Sequence, residues 1–367
     1  MNTDPCLAAR VLIVDDSALC RKLLKDILSA DPRFEVVGVA HDGREALDMA
    51  RSLHPDVITL DVEMPVMNGP ECLEALMAEI PTPVLIVSSL THEGSDAAIA
   101  CLQRGAVDVI LKPQGPGAVT PAFAAEVVSK AAAAAFAQIG ALPLRQDAEP
   151  VRPDARRENP ACAKPPMGRP IGSTTAVVTI AASTGGPAAL MELIPGLPAD
   201  LDAAYVLVQH LPAGFSRRLA ERLDRISAIA VREGADGDHL GPGLALLAPG
   251  GCHLELDGRR RVALNTDPPL WGVRPAADVT LNSVAHWFGN RSVAVVLTGM
   301  GRDGTVGARA VHSSGGTVLA QDKESSLVYG MPRAVAEAGA VDRVVPISKM
   351  AGAIADAVQA ITARRAA

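Results

Sequence analysis

Two sets of residues in this 367-residue chain have the types and spacing to do chemistry. The first is Ser183, His210 and Asp303. Ser183 lies in Ala181-Ala182-Ser183-Thr184-Gly185-Gly186-Pro187, where a β-branched apolar run ends in small residues. The glycines permit a sharp turn with positive φ, and Pro187 suits the first turn of a helix. Such a turn exposes a hydroxyl beside unpaired backbone N–H groups, which suits a nucleophile next to an anion-stabilising site. A serine there could equally be a plain helix N-cap. His210 follows the apolar run Val206-Leu207-Val208-Gln209, and Asp303 sits in the Gly-rich turn after Val295-Val296-Leu297. A seryl hydroxyl is a poor nucleophile until an imidazole takes its proton, and that imidazole needs an acceptor to fix its tautomer. Placed at the carboxyl ends of strands, the three groups can meet above one sheet. Their chain order differs from that of the familiar serine hydrolases, but such constellations are defined by geometry.

The second set is Asp15, Asp16, Asp61, Ser88 and Lys112, each at the end of an apolar run in the first half. Converging carboxylates repel unless a cation neutralises them, and hard oxygen ligands suit Mg²⁺. The Lys112 ammonium and the Ser88 hydroxyl could then bind a phosphoryl group carried by one carboxylate. Asp61 is the best acceptor, because it ends a central strand and is followed by Pro65 and the turn Asn68-Gly69. Asp15 and Asp16 could instead merely cap the helix that starts near Ser17.

The elements that must position these groups follow from periodicity. Strands are expected at Val11 to Val14, Val36 to Val39, Val57 to Leu60, Val84 to Val87 and Val107 to Leu111. Helical spacing such as Leu19, Leu23, Leu24, Ile27 and Leu28 separates them. Five such units imply a doubly wound parallel sheet, with a fifth helix running from about Pro121 into the Ala131–Ala135 run. Periodicity stops after Gly140, and residues 143–170 read as an extended, mobile linker. A second α/β rhythm resumes at Ala176–Ile180, with further strands at Ala204 to Val208, Leu244 to Leu247, Val293 to Leu297 and Val318 to Ala320. Helices are expected near Pro187–Pro195, Phe215–Asp224, Asp278–Trp287, Thr305–His312 and Ser348–Ala363. The fold class is therefore α/β, in two domains.

Composition narrows the function. The formal net charge of −7 offers no general attraction to nucleic acid or to anionic membranes. The six cysteines are scattered without C-x-x-C spacing, which suits free thiols in a reducing compartment. The absence of a long uncharged apolar run leads us to expect a cytoplasmic protein without membrane insertion. His239 and His253 lie in polar, Gly-rich surroundings, and His286 and His312 are expected to pack on helices. No H-E-x-x-H spacing supports a metallohydrolase.

The run D-V-E-M-P-V-M-N-G at 61–69, with Asp15-Asp16 before it and Lys112-Pro113 after it, resembles response-regulator receiver domains. The second half resembles the catalytic domain of the chemotaxis protein-glutamate methylesterase/glutaminase family, CheB. The matching runs are A-S-T-G-G-P at 182–187, V-Q-H-L-P at 208–212, E-G-A-D-G-D at 233–238 and L-A-P-G-G-C-H at 247–253. L-T-G-M-G-R-D-G at 297–304, A-Q-D at 320–322 and G-M-P-R-A at 330–334 continue the match.

The resemblance implies a flavodoxin-like receiver over 10–128, a linker over 129–172 that includes the end of the last receiver helix, and a doubly wound methylesterase domain over 173–367. It implies Asp61 as phosphoacceptor, Asp15, Asp16, Asp61 and the Glu63 carbonyl around Mg²⁺, and Ser88 and Lys112 reading the phosphoryl group. In the second half it implies Ser183 as nucleophile, His210 as general base and acid, Asp303 orienting His210, and Thr184 and the Met300 N–H as oxyanion contacts. No cofactor is implied for ester hydrolysis. The implied substrates are glutamate methyl esters, and some glutamines, on the cytoplasmic helices of chemoreceptors, with a chemotaxis histidine kinase as phosphodonor. Phosphorylation would open access to a cleft that the linker-tethered first domain blocks. Three departures stand out: Val109 occupies a position where receivers often carry an aromatic switch residue, Arg274-Pro275-Ala276-Ala277-Asp278 replaces the more usual R-P-S-V-D, and Leu211 stands where Met is common.

Two other classes compete. A DNA-binding regulator would need a basic helix-turn-helix module, which the second half lacks. A non-catalytic adaptor that docks on phosphorylation would be favoured by a missing member of the Ser, His, Asp set, and all three are present.

Overall fold

The computed structural model describes residues 8–89, 91–113, 120–137 and 175–366. Most of the linker expected over 129–172, together with Cys6 and Cys162, lies outside the described residues. The chain divides into two compact units, Met1–Leu144 and Arg145–Ala367.

The N-terminal unit alternates β1 (Ala9–Val14), α1 (Ala18–Ser29), β2 (Phe34–Ala40), α2 (Gly43–Leu53), β3 (Val57–Asp61), α3 (Gly69–Glu79), β4 (Val84–Ser88), α4 (His92–Gln103), β5 (Asp108–Leu111) and α5 (Pro121–Ala135). Its sheet is parallel with order β2-β1-β3-β4-β5. The central strands β3 and β4 are buried along their whole length, as expected of strands covered on both faces. Side-chain caps start the helices: Ser17 accepts from Cys20 N, and Asn68 forms a capping box with Glu71.

The C-terminal unit runs β6 (Ala176–Ala182), α6 (Gly186–Leu193), β7 (Ala203–Gln209), α7 (Phe215–Ile226), β8 (Ala230–Glu233), β9 (Leu244–Leu247), β10 (His253–Leu256) and β11 (Val262–Asn265). It continues with α8 (Ala277–Phe288), β12 (Ser292–Val296), α9 (Thr305–Ser313), β13 (Thr317–Gln321), α10 (Met331–Glu337), β14 (Arg343–Val345) and α11 (Ile347–Ala366). Seven parallel strands form one sheet in the order β14-β13-β12-β6-β7-β9-β8, and β10 and β11 make a separate antiparallel pair. The chain enters at β6, builds outward to β7, β9 and β8, and then returns to place β12 on the other side of β6. The β6/β12 boundary is thus the switch point of the sheet, the place where doubly wound folds bind their ligands.

The expected strands are all present. The short strands β8, β10, β11 and β14 and the helix α10 had no clear periodicity in the sequence; at three to seven residues each, they are too brief to show one. Cys20, Cys72, Cys101 and Cys252 are free thiols. No helix among the described residues is long and apolar enough to cross a membrane.

Candidate active site and acidic cluster

Strand register places Ser183 and His210 side by side. Ala182 pairs with Gln209 at the ends of β6 and β7, so the next residue on each strand is Ser183 on one and His210 on the other. Neighbouring strands lie roughly 5 Å apart, which fixes the separation of the two backbones. His210 N–H donates to Ala182 O at 3.1 Å, and Ser183 N–H donates to Thr298 O at 3.0 Å from the β12 side. The turn after Ser183 needs glycine. Gly185 has φ +78°, and a Cβ there would lie 2.7 Å from Leu327 Cβ. Gly299 lets the loop after β12 close on the serine, since a Cβ there would lie 2.7 Å from Ser183 Cβ.

The buried Asp303 carboxylate lies 2.7 Å from His210 Nε2. It also accepts from Ala277 N at 2.6 Å, Asp278 N at 2.9 Å and Gly304 N at 2.9 Å, and so sits at the N-termini of both α8 and α9. Burial pushes its pKa up, but the hydrogen bond and charge of His210 and the backbone donors outweigh that and hold it below the usual aspartate value. A permanently ionised acceptor is what an imidazole needs when it takes up a proton. Nε2 faces Asp303, which leaves Nδ1 as the other ring nitrogen. Among the described residues, the Ser183 hydroxyl makes no hydrogen bond to the His210 ring. The structure therefore joins the histidine to the aspartate and sets the serine beside them.

Of the two oxyanion candidates, Thr184 is buried and its carbonyl accepts the Thr298 hydroxyl at 3.0 Å. Met300 follows Gly299 directly, with a 40% exposed side chain. The turn that carries it is held by Gly299 N to Val328 O at 3.0 Å and Met331 N to Gly299 O at 2.8 Å.

Several residues that support this site escaped the sequence reading. Gln209, 1% exposed, donates through Nε2 to both Ser183 O at 2.8 Å and His210 O at 3.2 Å, tying the two backbones together. Its only sequence signal was its place in V-Q-H-L-P. Gln321 accepts from Thr298 N at 2.7 Å and steadies the β12 side. Asp278 accepts from Gly307 N at 2.8 Å and from Trp271 Nε1 at 2.9 Å, locking α8 to α9. Burial and the neighbouring Asp303 charge raise its pKa.

Two expectations for the other histidines need correction. His253 is not in polar surroundings but buried in β10, where Nδ1 accepts from Ala276 N at 3.2 Å and Nε2 reaches Pro268 O at 3.3 Å. The flanking glycines made its neighbourhood look polar. His286 and His312 do lie on helices but face solvent, because each falls opposite the apolar stripe of its helix. His286 stacks edge-on to Trp287, and His312 pairs with Asp342 at 3.6 Å.

In the N-terminal unit, Asp15, Asp16 and Asp61 each offer a carboxylate oxygen, and these atoms lie within 4.8 Å of one another. Lys112 Nζ pairs with Asp61 at 2.6 Å and with Asp15 at 2.9 Å. Three carboxylates against one ammonium leave a net charge of about −2, which suits a divalent cation. The buried Oδ2 of Asp15 is held by its 2.9 Å ion pair with Lys112 and has no further hydrogen-bond partner among the described residues, which leaves it room for a cation. Burial first, and the Asp15 charge as well, push the Asp61 pKa up to about 6 against the pull of Lys112 and the Val62 N–H. The buried Ser88 hydroxyl donates to Gly94 O at 3.1 Å and Ser89 O at 3.2 Å, at the end of the strand beside Asp61. Val109 is fully buried in β5, where it has no ring to swing between buried and exposed positions.

Comparisons with known proteins agree with this division. A family model described as CheB methylesterase matches residues 178–354, and one described as response regulator receiver domain matches residues 11–123. The protein-glutamate methylesterase/protein-glutamine glutaminase of Symbiobacterium thermophilum is 46% identical over 350 residues, covering 95% of this chain and 97% of its own. That of Pyrococcus horikoshii is 43% identical over 363 residues, covering 96% of this chain and 94% of its own. The crystal structure of the Thermotoga maritima CheB methylesterase catalytic domain is 43% identical and covers 50% of this chain and 98% of its own, with a TM-score of 0.48.

Proposed function

Because the chain belongs to the protein-glutamate methylesterase/protein-glutamine glutaminase family and is a carboxylic ester hydrolase, we propose for it a phosphorylation-controlled serine mechanism. The substrates are glutamate methyl esters on chemoreceptors, with side-chain amides of glutamine as a second class. Ser183 Oγ attacks the γ-carbonyl while His210 removes its proton, and Asp303 stabilises the resulting imidazolium. The oxyanion falls to the backbone N–H groups near Thr184 and Met300. His210 returns the proton to the leaving methoxide, releasing methanol, or to the leaving nitrogen, releasing ammonia. Water activated by the same imidazole then splits the acyl-serine to give the free glutamate. The observation that carries this reading is the Asp303 carboxyl group held 2.7 Å from His210, with Ser183 and His210 following the paired ends of adjacent strands.

Control enters at Asp61, the proposed phosphoacceptor, with a histidine kinase as donor. Asp15, Asp16 and Asp61 would hold Mg²⁺, which neutralises charge at the phosphoryl group, and Ser88 and Lys112 would bind its oxygens. With Val109 in place of an aromatic, the signal passes without a ring rotamer. The division proposed is receiver over 10–128, linker over 129–172 and methylesterase over 173–367, working in the cytoplasm.

The test is release of radiolabelled methanol from methylated receptor membranes, with and without a phosphodonor. The wild-type chain should release methanol faster with the phosphodonor, and Ser183→Ala should release none while still taking up phosphate. Persistent release by that variant would remove Ser183 from its role. A wild-type chain that takes up phosphate and docks on a partner in response, yet never releases methanol, would favour an adaptor.

A further inference from the structure

Exposed apolar side chains are few, and half of them flank Asp303. Among the described residues, Leu270 is 37% exposed, Trp271 50%, Met300 40% and Val306 51%. Leu270, Trp271 and Met300 belong to two loops, 266–276 and 297–304, and Val306 to the first turn of α9; the loops meet through Arg302, whose guanidinium lies 5.1 Å above the Trp271 ring. Large apolar groups left in water at one place mark a surface that something covers.

The loop bearing Trp271 is held in place. Arg274 donates to Thr266 O at 2.6 Å and Asp267 O at 2.9 Å, and Leu270 and Val273 exchange backbone hydrogen bonds. His253 grips it from beneath at Pro268 and Ala276. Trp271 itself adopts φ +56°, a costly conformation for an aromatic residue, which turns the ring outward. Its indole N–H donates to Asp278, whose own N–H donates to Asp303, which holds His210. The exposed ring thus sits three hydrogen bonds from the catalytic imidazole. Arg302 is exposed and, among the described residues, pairs with no carboxylate, although the chain as a whole carries a formal charge of −7.

We propose that Leu270, Trp271, Met300 and Arg302 form the seat for the substrate's helix. This rests on the methylesterase reading above and names the surface that selects the substrate. An esterified glutamate on a helix reaches Ser183 only if the helix lies across the strand ends. Residues three and four positions away then fall roughly 5–6 Å along the same face. The apolar trio packs against an apolar side chain at that distance. Arg302, held over the indole, meets a carboxylate on the same helix, where stacking costs it none of its charge. The seat therefore favours glutamate sites with an apolar residue and an acid within a turn, and disfavours an ester on a basic or irregular segment.

The experiment uses the full chain with Trp271→Ala, Trp271→Phe and Arg302→Ala, and methanol release measured over a range of methylated-receptor concentrations, with and without phosphodonor. Trp271→Ala should raise KM about tenfold with kcat within about twofold, the loss expected of one aromatic anchor. Trp271→Phe, which keeps an apolar ring but loses the bond to Asp278, should stay within about threefold of the wild-type KM. Arg302→Ala should raise KM about threefold and flatten its dependence on salt. An unchanged KM in both alanine variants would overturn the proposal. So would an equal fall in kcat in Trp271→Ala and Trp271→Phe, which would make the ring a support for Asp278. A higher rate without phosphodonor in Trp271→Ala, at unchanged KM, would assign the patch to the receiver domain instead. Should Trp271→Ala fail to fold, Arg302→Ala decides by the same criteria. Absence of methanol release by the wild-type chain would defeat the methylesterase reading itself, whereas wild-type turnover with unaltered KM in the variants defeats only the seat.

Discussion

Asp61 and Asp303 are the same residue type in nearly the same place, buried at the carboxyl edge of a parallel sheet, yet their surroundings push them in opposite directions. Asp61 faces Asp15 and one ammonium, and its pKa rises to about 6. Asp303 accepts three backbone N–H groups at two helix N-termini and one imidazole, and its pKa falls. Burial raises both; the repelling Asp15 carboxylate at one, and the imidazole with its backbone donors at the other, decide the sign. A carboxylate that must accept a phosphoryl group gains from being crowded and poorly solvated, because a cation can enter and relieve it. A carboxylate that must hold an imidazolium gains from being fully satisfied, because it must neither move nor take the proton.

The largest test of this contrast is Asp303→Asn. The amide would turn an N–H toward backbone donors or the imidazole and lose the fixed charge. We expect kcat for methanol release to fall by about 10⁴, or about 5 kcal/mol, with phosphate uptake at Asp61 unchanged. Retention of more than a tenth of the activity would mean that Asp303 merely ties α8 to α9.

Next in size is Gln209→Leu. One amide nitrogen bridges the carbonyls behind Ser183 and His210, so its loss frees two backbones whose alignment sets the attack. A misplacement of that kind costs on the order of 10²-fold in kcat, with KM little changed. Gln209→Glu should be no better, since a carboxylate offers no donor to either carbonyl. An unchanged kcat in both variants, measured by the same methanol assay, would show that strand pairing alone sets the alignment.

The meeting of Ser183, His210 and Asp303 at one sheet edge was legible in the sequence because each is a chemically distinctive residue just past an apolar run, and parallel strands bring such positions together. The sheet was readable for the same reason. Gln209, Asp278, His253 and Trp271 were not, because what each does depends on which loop faces which. The bond from Gln209 to Ser183 spans 26 positions, and that from Asp278 to Gly307 spans 29. His253 was misjudged because its glycine neighbours suggested a solvated turn, whereas β10 carries it inside. In the acidic cluster the convergence of Asp15, Asp16 and Asp61 was evident, but the balance between burial, Lys112 and Asp15 at Asp61 was not.

A smaller effect separates the two sites in stability. Asp61 binds its proton more tightly in the folded unit than in the unfolded chain, where aspartate titrates near 3.9. Between about pH 4 and 6 the native state therefore holds more protons, and the N-terminal unit loses stability as pH rises through that window. Asp61→Asn removes this cost. Allowing for screening by Lys112 and nearby solvent, it should stabilise the N-terminal transition by on the order of 1–2 kcal/mol at pH 7 in chelator, while abolishing stimulation by phosphodonor. Calorimetry of the full chain would show it, and Mg²⁺ should narrow the gap between variant and wild type. No gain in chelator would mean that Lys112 already neutralises the cluster.

Asp303 supplies the opposite and smallest signature. Its folded pKa lies below the unfolded value, so its contribution to stability is present above about pH 4 and is lost as pH falls through the depressed native value. Burial opposes what the four partners supply. Acid titration should therefore lower the C-terminal transition temperature only below about pH 4, where the N-terminal transition no longer gains from protonating Asp61. Asp303→Asn should flatten that fall, because an amide does not titrate. A C-terminal transition that weakens with the same slope in the variant would place the acid sensitivity in other carboxylates, and would leave the helix N-termini, not the charge, as what Asp303 secures.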